Sequence, residues 1–171
     1  MAWILLASLA AAAQAPASAN TSVYTDLDLR GCRVLERIAE GSSVRWRCPG
    51  HAGIPLFISS GDDRYDLDAG IDNGEWESLS PFNVVGSRVE WRLRRGRPLA
   101  IIYRFLVARS DIGPAYSRLA VETIGRRGRP GCVIAWIDGG LPTANADARA
   151  VADRRAERFR CGADRAEGQP D

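Results

Sequence analysis

The chain has 171 residues, of which 46% are apolar, and a formal net charge of +2. This length suits a single domain that buries about two thirds of the surface of its unfolded chain, and no second domain is required. All 23 basic residues are arginine, a bias that a GC-rich coding sequence explains. The near-neutral charge balance therefore disfavours nucleic acid as a partner.

The first 19 residues have the pattern of a secretory signal peptide. The apolar run from Ile4 to Ala13 is short for a bilayer span, and Ala17-Ser18-Ala19 is a small-x-small cleavage site. The run lacks a preceding Lys or Arg, and a retained anchor is the alternative. We predict cleavage after Ala19, a periplasmic or secreted protein, and membrane contact that is peripheral at most.

The first half of the mature chain indicates an extended lead-in and two hairpins. The lead-in covers residues 20–28, and the first hairpin lies between Cys32 and Cys48, with its turn near Glu40 to Ser43. Short apolar-polar alternations at Pro55 to Ser59 and Arg64 to Asp68 predict the second hairpin.

Acidic and turn-forming residues dominate the next stretch, residues 69–83, which predicts a long surface loop with one helical turn at Glu75 to Leu79. Trp76 is the tryptophan we expect to be exposed. A calcium loop would need a ligand where Gly70 stands, so we interpret the acids as hydrated turn residues. The acids in question belong to the second hairpin and to this stretch, and they are Asp62, Asp63, Asp66, Asp68, Asp72, Glu75 and Glu77.

The central hairpin is predicted from Ser87 to Arg109, where apolar and charged residues alternate on either side of an Arg-Gly-Arg-Pro break. Its second strand is apolar on both faces, which places it at the centre of a sheet. With a connecting loop of odd length, the facing pairs are Val89–Tyr103, Trp91–Ile101 and Leu93–Leu99.

Two more strands and a helix complete the predicted fold. The strands cover residues 117–125 and 132–137, and the helix covers Asn145 to Arg160, with an apolar stripe that docks on the sheet. Residues 163–171 form a polar tail that we expect to be disordered. The fold class is α+β, a mostly antiparallel β-sheet of N-terminal hairpins plus a four-stranded meander, with one C-terminal helix packed on it. Residues 20–162 form the single globular domain.

Four cysteines in an exported chain favour two disulfides, although the sequence alone permits three pairings. Cys32 and Cys48 flank the first hairpin. A strand from Cys132 rises about 20 Å and the helix before Cys161 returns about 24 Å, which brings these two residues together. We predict the pairs Cys32–Cys48 and Cys132–Cys161. A metal site is disfavoured, because there is no Cys-x-x-Cys pair and His51 is the only histidine.

The pentapeptide Arg-Arg-Gly-Arg-Pro occurs twice, at residues 94–98 and 126–130. The first and third connections of a meander emerge at the same end of the sheet, so the two repeats should lie within about 10 to 15 Å of each other. Guanidinium groups pair bidentately with phosphate and carboxylate. The alternative is that turns of an arginine-rich chain simply contain arginine. The candidate anion-binding residues are Arg94, Arg95, Arg97, Arg126, Arg127 and Arg129.

The sequence lacks a recognisable catalytic set. There is no Gly-x-Ser-x-Gly elbow, His51 lies in a turn motif, and paired cysteines are not nucleophiles. We therefore favour a non-catalytic binding module without a cofactor, which contacts an anionic envelope component or an acidic protein through the arginines. One alternative is a hydrolase of envelope glycan or peptide that uses carboxylates between Asp62 and Glu77. The other is a structural or inhibitory partner protein.

Four segments also carry a resemblance to a known group. They read YTDLDLRGC, VRWRCPGHAGIPLFIS, PFNVVGSRVEWRLRRGRPLAIIYRF and CVIAWID, and together they are similar to small exported four-cysteine proteins of Gram-negative bacteria that have no assigned activity. The resemblance covers most of the mature chain. It implies one globular unit in the cell envelope and transfers no catalytic residue.

Overall fold

The structure is a computed structural model that describes residues 20–38, 42–109 and 113–169. The predicted signal peptide and half of the predicted first turn, residues 40 and 41, lie outside these residues, so cleavage after Ala19 stays a prediction. In the part of the chain that is described, no helix is both long and apolar enough to cross a membrane.

Nine strands, one α-helix and the short 3-10 helix Leu29–Gly31 form within the described residues. They are β1 (Thr21–Asp26), β2 (Arg33–Ile38), β3 (Ser43–Cys48), β4 (Leu56–Gly61), β5 (Arg64–Ala69), β6 (Asn83–Arg94), β7 (Arg97–Val107), β8 (Tyr116–Thr123), β9 (Val133–Asp138) and α1 (Ala144–Arg155). A five-stranded sheet has the order β1-β6-β7-β8-β9, and a four-stranded sheet has the order β2-β3-β4-β5. Every ladder is antiparallel, which confirms the predicted fold class.

The five-stranded sheet is the middle of three layers. Side chains on one of its faces, including Trp91 and Tyr103, pack with Ile58 of the four-stranded sheet. Side chains on the other face, including Ile102, pack with Val151 of α1. Successive strand residues point to opposite faces of the sheet. Because consecutive residues of the inner strands are apolar, both faces are apolar. β7 is the central strand of this sheet and is buried on both faces, as predicted.

The central hairpin confirms two of its three predicted pairs, Val89 with Tyr103 and Trp91 with Ile101. The third prediction is wrong, because a register shift after Arg92 places Leu93 opposite Pro98. The turn has two residues instead of an odd number. Arg95 and Gly96 have φ angles of 51° and 73°. Positive φ angles at both central residues are typical of the two-residue turns whose twist matches that of the flanking strands.

Both predicted disulfides, Cys32–Cys48 and Cys132–Cys161, are present. The first links the two strands of the β2–β3 hairpin. The second joins the start of β9 to the chain after α1. This helix ends at Arg155, five residues earlier than predicted, although Phe159 beyond it is still buried.

The C-terminal tail corrects another prediction. Within the predicted disordered tail, Glu167 pairs with β9: its backbone N–H donates to the Ile134 carbonyl (3.0 Å) and its carbonyl accepts from the Trp136 N–H (2.8 Å). Arg155 also pairs with the Glu167 carboxylate at 3.1 Å. The outer edge of β9 offers unpaired backbone groups, and the tail satisfies part of them.

Removing the Cys132–Cys161 bridge is expected to destabilise the protein strongly. The two residues are 29 apart in the chain, and releasing a loop of this length adds enough entropy to the unfolded state to cost about 3.5 kcal/mol. Urea unfolding of the Cys132→Ser/Cys161→Ser variant against the oxidised parent measures this difference. A loss below about 1 kcal/mol would contradict a role of the bridge in fastening α1 to the sheet.

Candidate functional site

The arginine cleft is a depression of about 580 Å³ at the end of the five-stranded sheet where the β6–β7 and β8–β9 connections emerge. Glu157, just after α1, forms part of its wall. The structure thus brings together five of the six arginines proposed from the sequence. These are Arg94, Arg95, Arg97, Arg126 and Arg129. The sixth, Arg127, is exposed but does not line the cleft.

The two Arg-Arg-Gly-Arg-Pro repeats form turns of the same length. In the first repeat, Arg94 pairs with Arg97 across the turn. In the second, Arg126 and Arg129 exchange two backbone hydrogen bonds of 2.8 Å. The glycine of each repeat has a positive φ angle, which glycine adopts without a steric penalty. Both repeats therefore form tight turns with arginines on both arms, although the residue before the glycine has a positive φ angle only in the first repeat, at Arg95.

Two of the cleft arginines hold the end of α1. Arg94 donates from Nη2 to the Asp153 carbonyl. Arg129 donates from Nη2 to the carbonyls of Glu157 at 2.9 Å and Phe159 at 3.2 Å. The last carbonyls of a helix have no partner within the helix, and Arg94 binds one of them, whereas Arg129 binds carbonyls of the segment just beyond the helix. Arg94 and Arg129 therefore have a structural role in addition to any role in binding.

The other three cleft arginines are differently placed. Arg95, Arg97 and Arg126 are exposed, and none of them forms an ion pair with a carboxylate of the described residues. The Arg126 side chain makes one long contact of 3.4 Å, to the Pro98 carbonyl. All three residues line one concave surface, an arrangement in which a phosphate or carboxylate accepts several charge-assisted hydrogen bonds.

Three of the seven acids, Asp62, Asp63 and Glu75, are exposed as predicted, but others are not. Asp66 and Asp68 are buried on β5, and Glu77 is half-buried. Each carboxyl accepts a backbone N–H: Asp66 from Glu77 at 3.1 Å, Asp68 from Asn73 at 3.3 Å, and Glu77 from Val133 at 3.1 Å. These bonds fasten residues 70–82 to β5 and β9. They also replace the predicted helical turn at residues 75–79, which does not form.

A fourth carboxyl, which the sequence reasoning missed, belongs to Glu122 on β8. Its side chain is fully buried, and its Oε1 accepts the Ala69 N–H at 3.0 Å. Its Oε2 is buried without a hydrogen-bond partner in the described part of the chain. Glu122 alternates with apolar residues along a strand, and that pattern is equally typical of an acid in water.

Burial raises the pKa of each of these carboxyls. The pKa of Asp66 rises to about 6 and that of Glu77 to about 7. The pKa of Asp68 rises to about 8, through burial and then through the charge of Asp66. Burial, followed by the charge of Asp68, holds the pKa of Glu122 well above its ordinary value. The cluster therefore retains protons near neutral pH, because low polarity and like charges both disfavour the ionised forms.

The other residues considered for a chemical role are His51, the four cysteines and Trp76. His51 packs against Trp91, with ring centroids 5.9 Å apart. All four cysteines are in disulfides, so no free thiol is present. Trp76 is exposed on the loop surface, as predicted.

No family model, curated protein or solved structure matches this chain. The resemblance to small exported four-cysteine proteins therefore stays a prediction.

The buried carboxyl cluster predicts that stability decreases as pH rises. Folding raises the pKa of Asp66, Glu77 and Asp68 above their ordinary values of 3.8 to 4.5, so the folded chain binds more protons than the unfolded chain. The stability that these extra protons provide is fully present below about pH 4. It decreases as pH rises and is gone once pH exceeds the folded pKa values of about 6 to 8. We expect the free energy of unfolding to fall by several kcal/mol between about pH 5 and 9, measured by urea unfolding.

The Glu122→Gln variant should lose less stability over the same pH range, because it removes one ionisable group from the cluster and keeps the Oε1 acceptor for the Ala69 N–H. Glu36→Gln, a change at an exposed residue of β2, is the matched control and should keep the full pH dependence. Identical pH profiles for the two variants would contradict the assignment of the effect to this cluster.

Proposed function

We propose that this protein is a non-catalytic exported binding module that contacts an anionic component of the cell envelope through the arginine cleft. The observation that carries the proposal is the convergence of Arg95, Arg97 and Arg126, without carboxylate partners among the described residues, around one concave surface. Like charges held together favour an anion, which relieves their mutual repulsion as it binds.

The compartment supports this choice of ligand. Two disulfides indicate an oxidising, extracytoplasmic location. An oxyanion on an envelope component, either a phosphate or a carboxylate, matches the planar donor pattern of guanidinium. The cleft is concave, which favours a discrete anionic group over the extended acidic face of a protein.

The carboxyl groups give less support to the alternative hydrolase. Asp66, Asp68 and Glu122 are buried, and each accepts a backbone N–H that holds the loop or the strand in place. A catalytic acid or base must reach the substrate within hydrogen-bond distance. Because these side chains lie within the fold, we rest the proposal on the arginine cleft.

Retention of the oxidised protein on anionic phospholipid vesicles and on peptidoglycan, across a salt series, tests the proposal. We expect retention that weakens as salt increases, because salt screens exposed charges. The variant Arg95→Gln/Arg97→Gln/Arg126→Gln should bind at least about tenfold more weakly, since charge-assisted hydrogen bonds contribute about 1.5 to 3 kcal/mol each. Comparing retention on vesicles with retention on peptidoglycan distinguishes a lipid phosphate from an anionic group of the glycan layer.

The matched control is Arg33→Gln/Arg37→Gln/Arg47→Gln, which makes the same charge change at exposed residues of the other sheet. It should retain nearly full binding. An equal loss of retention in both variants would mean that the net charge of the protein, and not the cleft, controls binding, and it would overturn the proposal. So would the absence of parent retention on both surfaces, an outcome that would redirect the search to protein partners. Thermal unfolding of each variant checks that the fold is unchanged.

A further inference from the structure

The arginine cleft already contains a carboxylate. Glu157 is the one acidic residue among those that line it, and its Oε2 lies 2.5 Å from Arg94 Nη1. The Glu157 side chain is 63% exposed. It extends from the chain two residues beyond the end of α1, so it reaches the arginines from the rim of the cleft.

From this contact we infer that Glu157 is a resident competitor, which occupies the anion position of the cleft until a phosphate group of the ligand displaces it. This inference rests on the proposed function and adds the class of ligand and a means of setting its affinity.

The surroundings of Glu157 allow its side chain to leave without loosening the helix end. Its backbone carbonyl accepts from Arg129, and Arg94 also donates to the Asp153 carbonyl. Neither bond involves the Glu157 carboxylate. When this carboxylate turns toward solvent, Arg94 Nη1 becomes available beside Arg95, Arg97 and Arg126, and the chain between α1 and Phe159 stays anchored.

The competition favours phosphate over a single carboxylate. A carboxylate that replaces Glu157 exchanges one monoanion for another and gains little. A phosphate monoester carries about 1.5 to 2 negative charges at neutral pH and presents three acceptor oxygens, which can engage arginines that the Glu157 side chain leaves unpaired. Glu157 thus discriminates against weakly charged anions, because an incoming anion must first break the ion pair with Arg94.

Titration of the full oxidised protein with inorganic phosphate and with acetate, followed by calorimetry, tests this role. Glu157→Gln should bind phosphate about two- to fivefold more tightly than the parent, the range expected for removing an exposed competing ion pair. It should also show measurable acetate binding. Glu36→Gln removes the same charge from an exposed ion pair with Arg45 outside the cleft and should leave both titrations unchanged.

Equal phosphate affinity in the parent, Glu157→Gln and Glu36→Gln would overturn the inference. Weaker binding in Glu157→Gln would also overturn it, because it would show that the carboxylate positions the arginines instead of competing with the ligand. Glu157→Ala, which should give the same gain as Glu157→Gln, separates loss of charge from a new amide contact. In each case the Arg95→Gln/Arg97→Gln/Arg126→Gln retention experiment tests the cleft itself, so failure of this inference and failure of the proposed function are distinguishable.

Discussion

The burial of β7 on both faces is the constraint on which the rest of the structure depends. This strand carries large apolar residues in both directions, including Ile101 and Ile102. A strand of this kind is stable only when both faces of its sheet are covered. The four-stranded sheet covers one face and α1 covers the other. The two disulfides act at the margins of these layers, one within the outer sheet and one between β9 and the chain after the helix.

The same layering creates the arginine cleft. In an antiparallel meander the β6–β7 and β8–β9 connections lie at one end of the sheet. α1 runs back along β9, so the C-terminus of the helix reaches that end as well. Arg94 donates to one of the unpaired carbonyls in the last turn of the helix, and Arg129 donates to carbonyls of the chain just beyond the helix. Two arginines of the cluster therefore have a structural role, which Arg94 combines with its contact to Glu157, while Arg95, Arg97 and Arg126 are exposed.

The buried carboxyls accept hydrogen bonds from backbone N–H groups. The segment from residue 70 to 82 has no regular secondary structure, so its backbone N–H groups need acceptors from side chains. Asp66 and Asp68 accept N–H groups of this segment, and Glu77 within it accepts the Val133 N–H of β9, all at the cost of raised pKa values. A loop fastened by groups that hold protons near neutral pH is less stable in alkaline solution. This property of the fold is independent of the arginine cleft.

The sequence by itself determined the strand periods and the meander, and it favoured the two disulfide pairs and the proximity of the two arginine repeats, because these follow from alternation and from the reach of strands and helices. It did not determine that Asp66 and Asp68 are buried, since alternation identifies the faces of a strand and not what covers each face. Nor did it show Glu157 in the cleft, because a polar residue near a helix end has no distinguishing pattern. Only the tertiary structure decided which arginines hold the helix and which remain available, since that depends on where the helix ends against the turns.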